Sequence, residues 1–385
     1  MSGEMHEIKQ LRRNIAAGRE LNSWITGARA LALLSGAADS GILNILREPS
    51  KPAQVAAAIG IDRQVAVDLC LALEAHGILQ RDGEAYRLTP DFTLLTSPEA
   101  ARPLTSVLRQ ARVMIGAVQD IAPSETTYTG MAAEDILALA EAAGISAVSA
   151  ARHLPMQTLA SALPEARARW VTGAHHLEVG CGIGNTLLGL AISFPKVTAV
   201  GIEIEALTAA EAERRAGLLG VGDRVQVRHM DACDLQDEAA FDTIQWSQYF
   251  FPTPTRAVVL RAMRRALKPD GYLFMPWIGS ISDDTSPSRR SVLGLGLQAL
   301  RFRSVVVLPC LTDVLGDTPA RRKNERRLGA MLKLMFGRWG VPVRTVGELT
   351  SELESEGFRV LRTNRLMATE FNFARGFLLA QLGAQ

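Results

Sequence analysis

Apolar residues recur at helical spacing through ARALALLSGAADSGILNIL, residues 28–46, and Glu48, Pro49, Ser50, Lys51 and Pro52 then interrupt them. A period near 3.6 predicts a helix, and two prolines among polar residues end it. Two more helical stretches follow at 52–60 and 63–79, with Gly60 as a C-cap signal and Asp62 as an N-cap signal between them. Next comes QRDGEAYRLT, two short strand-like runs around Asp82 and Gly83, a dipeptide that favours a tight hairpin turn. Three helices and a hairpin predict a winged helix. Residues 100–165 carry an Ala-rich helical pattern broken by Pro123, Gly130 and Pro155. Beyond Trp170 short apolar runs (HHLEVG, VTAVGIE, RVQVRHMD, FDTIQWS and GYLFMPW) alternate with helical stretches. Such alternation predicts a parallel sheet with helices on both faces.

At 385 residues the chain exceeds the size at which one core usually stops growing, so two domains are expected. Hydrophobic residues make up 48% and charged residues 21%, which excludes a disordered or fibrous chain. Because 42 Lys and Arg balance 40 Asp and Glu, the formal charge of +2 does not call for a polyanionic partner. The basic run Arg321, Arg322, Lys323, Arg326 and Arg327 reads as a solvated helix face, since it lacks aromatic neighbours on which bases stack. Nor does the winged helix read as a DNA binder: residues 65–79 hold Asp68 and Glu74 but no Lys or Arg to meet phosphates. Cys70, Cys181, Cys233 and Cys310 form no C-x-x-C pair, so neither a metal site nor a disulfide framework is expected. The charged opening MSGEMHEIKQLRRN is unlike an export signal, and Arg301 and Arg303 interrupt the Leu- and Val-rich residues 291–316. The expectation is a cytoplasmic chain without a membrane span.

The candidate chemistry lies in HLEVGCGIGNTLLGLA, residues 176–191, where an apolar strand enters a Gly-rich turn and then an apolar helix. Gly180, Gly182 and Gly184 allow backbone conformations closed to other residues and let a ligand approach the main chain at a helix N-terminus. Open α/β sheets bind nucleotides at the carboxyl ends of their strands. The dinucleotide pattern G-x-G-x-x-G wants Gly or Ala where Asn185 stands, so a dinucleotide is disfavoured. Glu178 would repel a pyrophosphate but suits a cationic amino-acid end. Glu203, roughly twenty residues past the turn, can accept from both hydroxyls of a ribose. Asp231 in RVQVRHMDACD can accept from the exocyclic amine of adenine, with the backbone of Ala232 and Cys233 flanking the ring. Three carboxylates at successive strand ends thus span one nucleoside with a cationic tail.

On these residues the chain resembles a class I S-adenosylmethionine-dependent methyltransferase, of the small-molecule O-methyltransferase family with an N-terminal winged-helix dimerisation domain. The resemblance covers nearly the whole chain and rests on the LEVGCGIG loop, the GIE strand end, MDACD, FDTIQWS and RAMRRALKPDGYLFMPW. It implies an α/β Rossmann-like methyltransferase domain with a mostly parallel sheet at residues 166–385. A mainly α winged-helix dimerisation domain at 1–100 would precede it, joined by a helical linker at 101–165 that lines the substrate pocket. The implied cofactor is S-adenosylmethionine: Glu178, Gly180, Gly182 and Gly184 at its methionine end, Glu203 at the ribose, and Asp231, Ala232, Trp246 and Ser247 around the adenine. The implied activity is methylation of a hydrophobic small molecule, a secondary metabolite, on oxygen or carbon by a homodimer.

One segment departs from the family. Members that methylate phenols have a His-Asp-Trp segment after the fourth strand, and that His removes the acceptor's proton. Here the segment reads SQYFFPTPTR, no His lies between residues 241 and 256, and Trp277 stands at the family's acidic position. Gln248 and Tyr249 are the nearest polar candidates for catalysis, although a Tyr with a pKa of about 10 is a poor base. Holding the sulfonium and a nucleophilic acceptor in line supplies much of the acceleration without a base. His153, His175, His176 and His229 read as structural, His175 and His176 just before a buried strand and His229 within one, and the apolar first half of residues 281–335 is expected to cap the pocket. Two rival readings stay open: an enzyme that keeps the cofactor for a non-methylating reaction, and a cofactor-sensing winged-helix regulator.

Overall fold

A computed structural model describes residues 2–119, 128–148, 153–278, 319–341, 343–365 and 376–383. The chain divides into two units, Met1–Arg109 and Gln110–Gln385.

In the first unit, α1 (Ser2–Asp39) runs far beyond the predicted stretch, and Gly41 at φ 76° breaks it before the prolines do. The four-residue α2 (Ile42–Ile45) completes that stretch. Pro52 opens α3 (Pro52–Ile59), where its missing N–H costs nothing, and left-handed Gly60 closes it. Asp62 caps α4 (Arg63–Ala75), its Oδ1 accepting from the backbone of Gln64 at 2.7 Å and Val65 at 3.3 Å. This helix ends short of the predicted residue 79 because Gly77 turns left-handed and the Ile78 N–H returns to the Leu73 carbonyl. In the hairpin, β1 (Leu79–Asp82) and β2 (Ala85–Leu88) pair with Asp82 opposite Ala85. The turn residues are therefore Gly83 and Glu84, one place later than the sequence suggested. Ile42, Leu46, Val55, Cys70, Leu73 and Tyr86 form the unit's core. The sequence of three helices and a hairpin fits the winged-helix expectation. After α5 (Pro90–Leu95), the chain passes into the second unit within α6 (Leu104–Gln119).

Helices α7 (Ala133–Ala143), α8 (His153–Ala162) and α9 (Pro164–Thr172) precede the sheet of the second unit. Its first five strands are those expected: β3 (His175–Val179), β4 (Thr198–Glu203), β5 (Val225–His229), β6 (Phe241–Trp246) and β7 (Leu267–Trp277). Between them run α10 (Asn185–Ser193), α11 (Ala206–Leu218) and α12 (Thr253–Ala266). α13 (Pro319–Arg338), which carries the basic run, and α14 (Val346–Ser355) lead to β8 (Phe358–Arg365) and β9 (Gly376–Leu382). The order is β5-β4-β3-β6-β7-β9-β8, with β9 alone running opposite to the other strands. KPDG, read from the sequence as a turn before the fifth strand, lies inside β7: Phe241 faces Leu267 while Thr243 faces Tyr272, so residues 268–271 bulge out.

β3 is buried on both faces, as a central parallel strand must be. Leu177 and Val179 join Ile244, Leu260 and Met263 on one side. On the other, Trp170 Nε1 donates to Thr243 Oγ1 at 3.1 Å, and His176 Nδ1 shares that hydroxyl at 2.9 Å. Burial pushes His176 down to about 3, so it stays neutral and structural. His175 lies 3.2 Å from the Ala240 carbonyl. His229 was expected in a buried strand, but β5 is the sheet's edge and leaves it exposed, 3.0 Å from the Ile204 carbonyl. The side chain of His153, Cys310 and the expected cap in the apolar first half of residues 281–335 lie outside the described residues. Cys70, Cys181 and Cys233 are free thiols. Among the described residues no helix is long and apolar enough to cross a membrane, and no His, Cys, Asp and Glu cluster is placed to hold a metal ion.

Trp170 is fully buried against Phe194 and Phe274. Replacing it by Ala should cost about 3–5 kcal/mol in urea unfolding, whereas a loss below about 1 kcal/mol would show that this face is not packed as described.

Candidate functional site

β4 lies on one side of β3 and β6 on the other, so the strand order reverses at β3 and a crevice opens beyond its carboxyl end. The main chain ties the strand ends together there. The N–H groups of Gly180 and Cys181 both donate to the Ile202 carbonyl, at 2.9 and 3.0 Å, and the Ser247 N–H donates to Val179 at 2.9 Å. Met230 N–H donates to the Glu203 carbonyl at 3.0 Å. Gly180 takes φ 73°, and a Cβ there would stand 3.0 Å from the Phe251 ring. Gly182 takes φ 54°, its side-chain direction is open, and its N–H donates to Glu203 Oε2 at 2.9 Å. Asn185, the residue that spoils the dinucleotide pattern, has a structural use: its Oδ1 accepts from the Ile145 N–H at 3.3 Å and from Arg215 at 3.4 Å.

Two carboxyls flank this turn. Glu178 is 3% exposed; its Oε1 accepts from Gln245 Nε2 at 3.1 Å, while its Oε2 has no partner among the described residues. Burial pushes the Glu178 carboxyl up to about 8, opposed by the nearby Leu187 amide and helped by the charge of Glu203. Glu203, 9% exposed, accepts from Gly182 on one oxygen and from the Glu205 N–H at 3.0 Å on the other. Burial raises its pKa too, opposed by the amides of Glu205, Gly182 and Ile204. A buried carboxyl with a bare oxygen, beside a second carboxyl, is a place that a cation stabilises.

Asp231 caps a short 3-10 turn, Ala232–Asp234, accepting from Cys233 N–H at 2.8 Å, and Ala232 is buried. Trp246 departs from its expected role. Its side chain is fully buried beneath the Arg256 guanidinium, 4.5 Å from the ring centre, and against Phe251. It offers no surface to a nucleoside and belongs to the core, while Ser247 stays half-buried at the strand end.

Neither catalytic candidate is free to move a proton. Gln248 is buried, its Nε2 donates to the Pro276 carbonyl at 3.3 Å, and Arg256 Nη1 donates to its backbone and side-chain oxygens at 2.8 and 3.2 Å. Arg256 is held in turn by Glu352, at 2.7 and 2.6 Å. Gln248 is thus a structural member of a buried ion-pair network. Burial drives the Tyr249 phenol well above its ordinary value, so it keeps its proton and cannot act as a base.

The sequence reading missed the aromatic wall beside these residues. Tyr128 lies 4.6 Å from Phe250 and 6.2 Å from Trp339 between ring centres, and Phe336 stands 5.5 and 5.8 Å from the same two rings. Burial, then the charges of Glu203 and Glu205, raise the Tyr128 pKa, so this wall borders the carboxyl side of the turn. Spacing gave only the faint signal of Phe336 and Trp339 three residues apart; Tyr128 sits in a stretch without periodicity.

Residues 177–271, which hold this turn and the strand ends around it, match a family described as a methyltransferase domain. The whole chain is similar to solved structures at low identity. A mitomycin 7-O-methyltransferase matches at 16% identity and a TM-score of 0.65, over 96% of this chain and 99% of that one. Human N-acetylserotonin methyltransferase in complex with SAM matches at 16% and 0.62, over 96% and 98%. An N,N-8-amino-8-demethyl-D-riboflavin dimethyltransferase from Streptomyces davawensis matches at 17% and 0.60, over 96% and 99%. At such identities the likeness establishes the fold.

Glu178 yields a pH prediction. Its folded pKa is raised, so the stability it contributes is intact below about pH 4.5 and is lost as pH rises through about 8. The unfolding free energy of the unliganded protein, relative to Glu178→Gln, should fall between pH 5 and 8 by about 1.4 kcal/mol per pH unit and level off above. A difference that does not change with pH would mean Glu178 is ionised throughout.

Proposed function

We infer that this chain, whose residues 177–271 match a methyltransferase domain, is a class I S-adenosylmethionine-dependent enzyme that transfers a methyl group from that cofactor to a hydrophobic small molecule. The carrying observation is the bare Oε2 of buried Glu178 beside the open backbone of Gly182, with Glu203 at the next strand end. In this reading Glu178 and the turn of Gly180, Gly182 and Gly184 receive the cationic methionine end. Glu203 has lone pairs left for the ribose hydroxyls, and Asp231, Ala232 and Ser247 surround the adenine. The acceptor lies against the wall of Tyr128, Phe250, Phe336 and Trp339.

The acceptor's lone pair forms the new bond to the methyl carbon while the sulfur–methyl bond breaks and its electrons stay on sulfur, leaving S-adenosylhomocysteine. Because neither Gln248 nor Tyr249 can accept a proton, the acceptor arrives nucleophilic, as an anion, an amine or an electron-rich carbon. Similar structures bear names with oxygen and nitrogen acceptors, which supports that range. The working form we propose is a cytoplasmic homodimer joined through the N-terminal unit. Leu11, Ile15, Leu21 and Trp24 on α1 are exposed, Trp24 at 58%, and a second copy would cover apolar side chains of this helix.

Transfer of label from methyl-labelled S-adenosylmethionine to a phenolate, an aryl amine or an enolate tests the activity. Binding of the cofactor without transfer to any of the three would contradict it. Gly182→Ala puts a methyl group into the open side of the turn, and cofactor affinity should fall by at least about tenfold, roughly 1.4 kcal/mol; an unchanged affinity would place the cofactor elsewhere. In sedimentation the wild type should run as a dimer and the double variant Leu21→Glu, Trp24→Glu as a monomer, and equal masses would remove α1 from the interface.

A further inference from the structure

Resting on the methyl-transfer reading, we propose that the Tyr249 hydroxyl donates a hydrogen bond to an oxygen of the acceptor, which is therefore a flat, conjugated molecule bearing an enolate, phenolate or carbonyl oxygen. Tyr249 belongs to the short 3-10 turn Gln248–Phe250 directly after β6, and the next residue, Phe251, leans against Gly180 of the cofactor turn. Its ring packs on the apolar cluster of Ile278, Phe336 and Trp339. Flat aromatic faces of this kind suit a flat ligand. The same cluster reaches Tyr128, close enough to Glu203 and Glu205 to feel their charges, so it adjoins the ribose side of the cofactor site, while Phe251 marks the glycine side.

Within this apolar surrounding the Tyr249 hydroxyl is buried with no hydrogen-bond partner among the described residues. A buried hydroxyl left unpaired costs free energy, and an acceptor oxygen arriving at it recovers that cost. Gln248, its polar neighbour in the turn, is already committed to Arg256 and Pro276 and cannot take the same part. The phenol keeps its proton, so it serves as a donor only. A donor fits the departure from the family: with no base in this turn to create an anion, the site gains most by holding one that arrives formed. Delocalisation leaves such an anion nucleophilic at a second lone pair or at a conjugated carbon. Its negative charge is also attracted to the sulfonium whose methyl it takes.

The test uses protein saturated with S-adenosylhomocysteine, titrated calorimetrically with 2-hydroxy-1,4-naphthoquinone, an enol ionised at neutral pH, and with naphthalene, the same flat ring without oxygen. In the wild type the quinone anion should bind at least about tenfold more tightly than naphthalene, and Tyr249→Phe should erase that preference while leaving naphthalene and S-adenosylhomocysteine affinities within about twofold. Equal affinity for the two probes in the wild type overturns the proposal. So does a Phe variant that keeps the preference, or one that loses both probes equally. Failure of S-adenosylhomocysteine itself to bind would overturn the methyl-transfer reading instead.

Discussion

The hydrogen bond from the Gly182 N–H to Glu203 Oε2 holds the site together. It joins the turn after β3 to the end of β4, and it does so with a carboxyl that a ligand also needs. Glu203 can serve both ends because its two carboxylate oxygens carry four lone pairs in all and the backbone amides around it do not take them all. The cost is a concentration of carboxyls in a poorly solvated place, where Glu178 avoids a charge by keeping its proton. Glu178, Glu203 and Glu205 meet there with no Lys or Arg bonded to Glu178 or Glu203 among the described residues. Gln245 gives Glu178 one neutral donor and no countercharge. Such a site is poised for a cation, and the same desolvation that strains it when empty strengthens the attraction when filled.

On the other side of the crevice the logic is steric. The buried Arg256–Glu352 pair, the Trp246 ring beneath Arg256, and Gln248 hold the chain after β6 in one conformation. That chain carries Tyr249, Phe250 and Phe251, so a charged network that touches no ligand sets where the aromatic wall stands relative to the glycine turn. Buried pairs of this kind contribute more to a defined geometry than to net stability.

What could be read from the sequence follows the range of the interactions involved. The glycine turn, Glu178 and the strand-end Glu203 lie within about one βαβ unit, and their residue types and spacing carry the chemistry on their face. The central strands β3, β4, β6 and β7 were legible because parallel strands buried on both faces read as apolar runs. Burial and pairing across distant segments were not. Arg256 meets Glu352 96 residues away, so nothing near Gln248 announced that its amide was already committed. Trp246 at a strand end looked like a ligand neighbour until Arg256 covered it. His229 looked buried because it lies in a strand of a sheet expected to be covered on both faces, yet β5 is an edge. The bulge at residues 268–271 arises from pairing with β6, which local turn chemistry does not register.

Titration of S-adenosylhomocysteine at pH 7 in two buffers of different ionisation enthalpy tests the central claim most directly, because the ligand keeps the amino-acid cation and Glu178 begins near pKa 8. Close to one proton should be released to the buffer for each molecule bound, and Glu178→Gln should abolish that release. Binding without proton release, or no binding heat in either buffer, would contradict the claim that a buried, protonated Glu178 receives the cation.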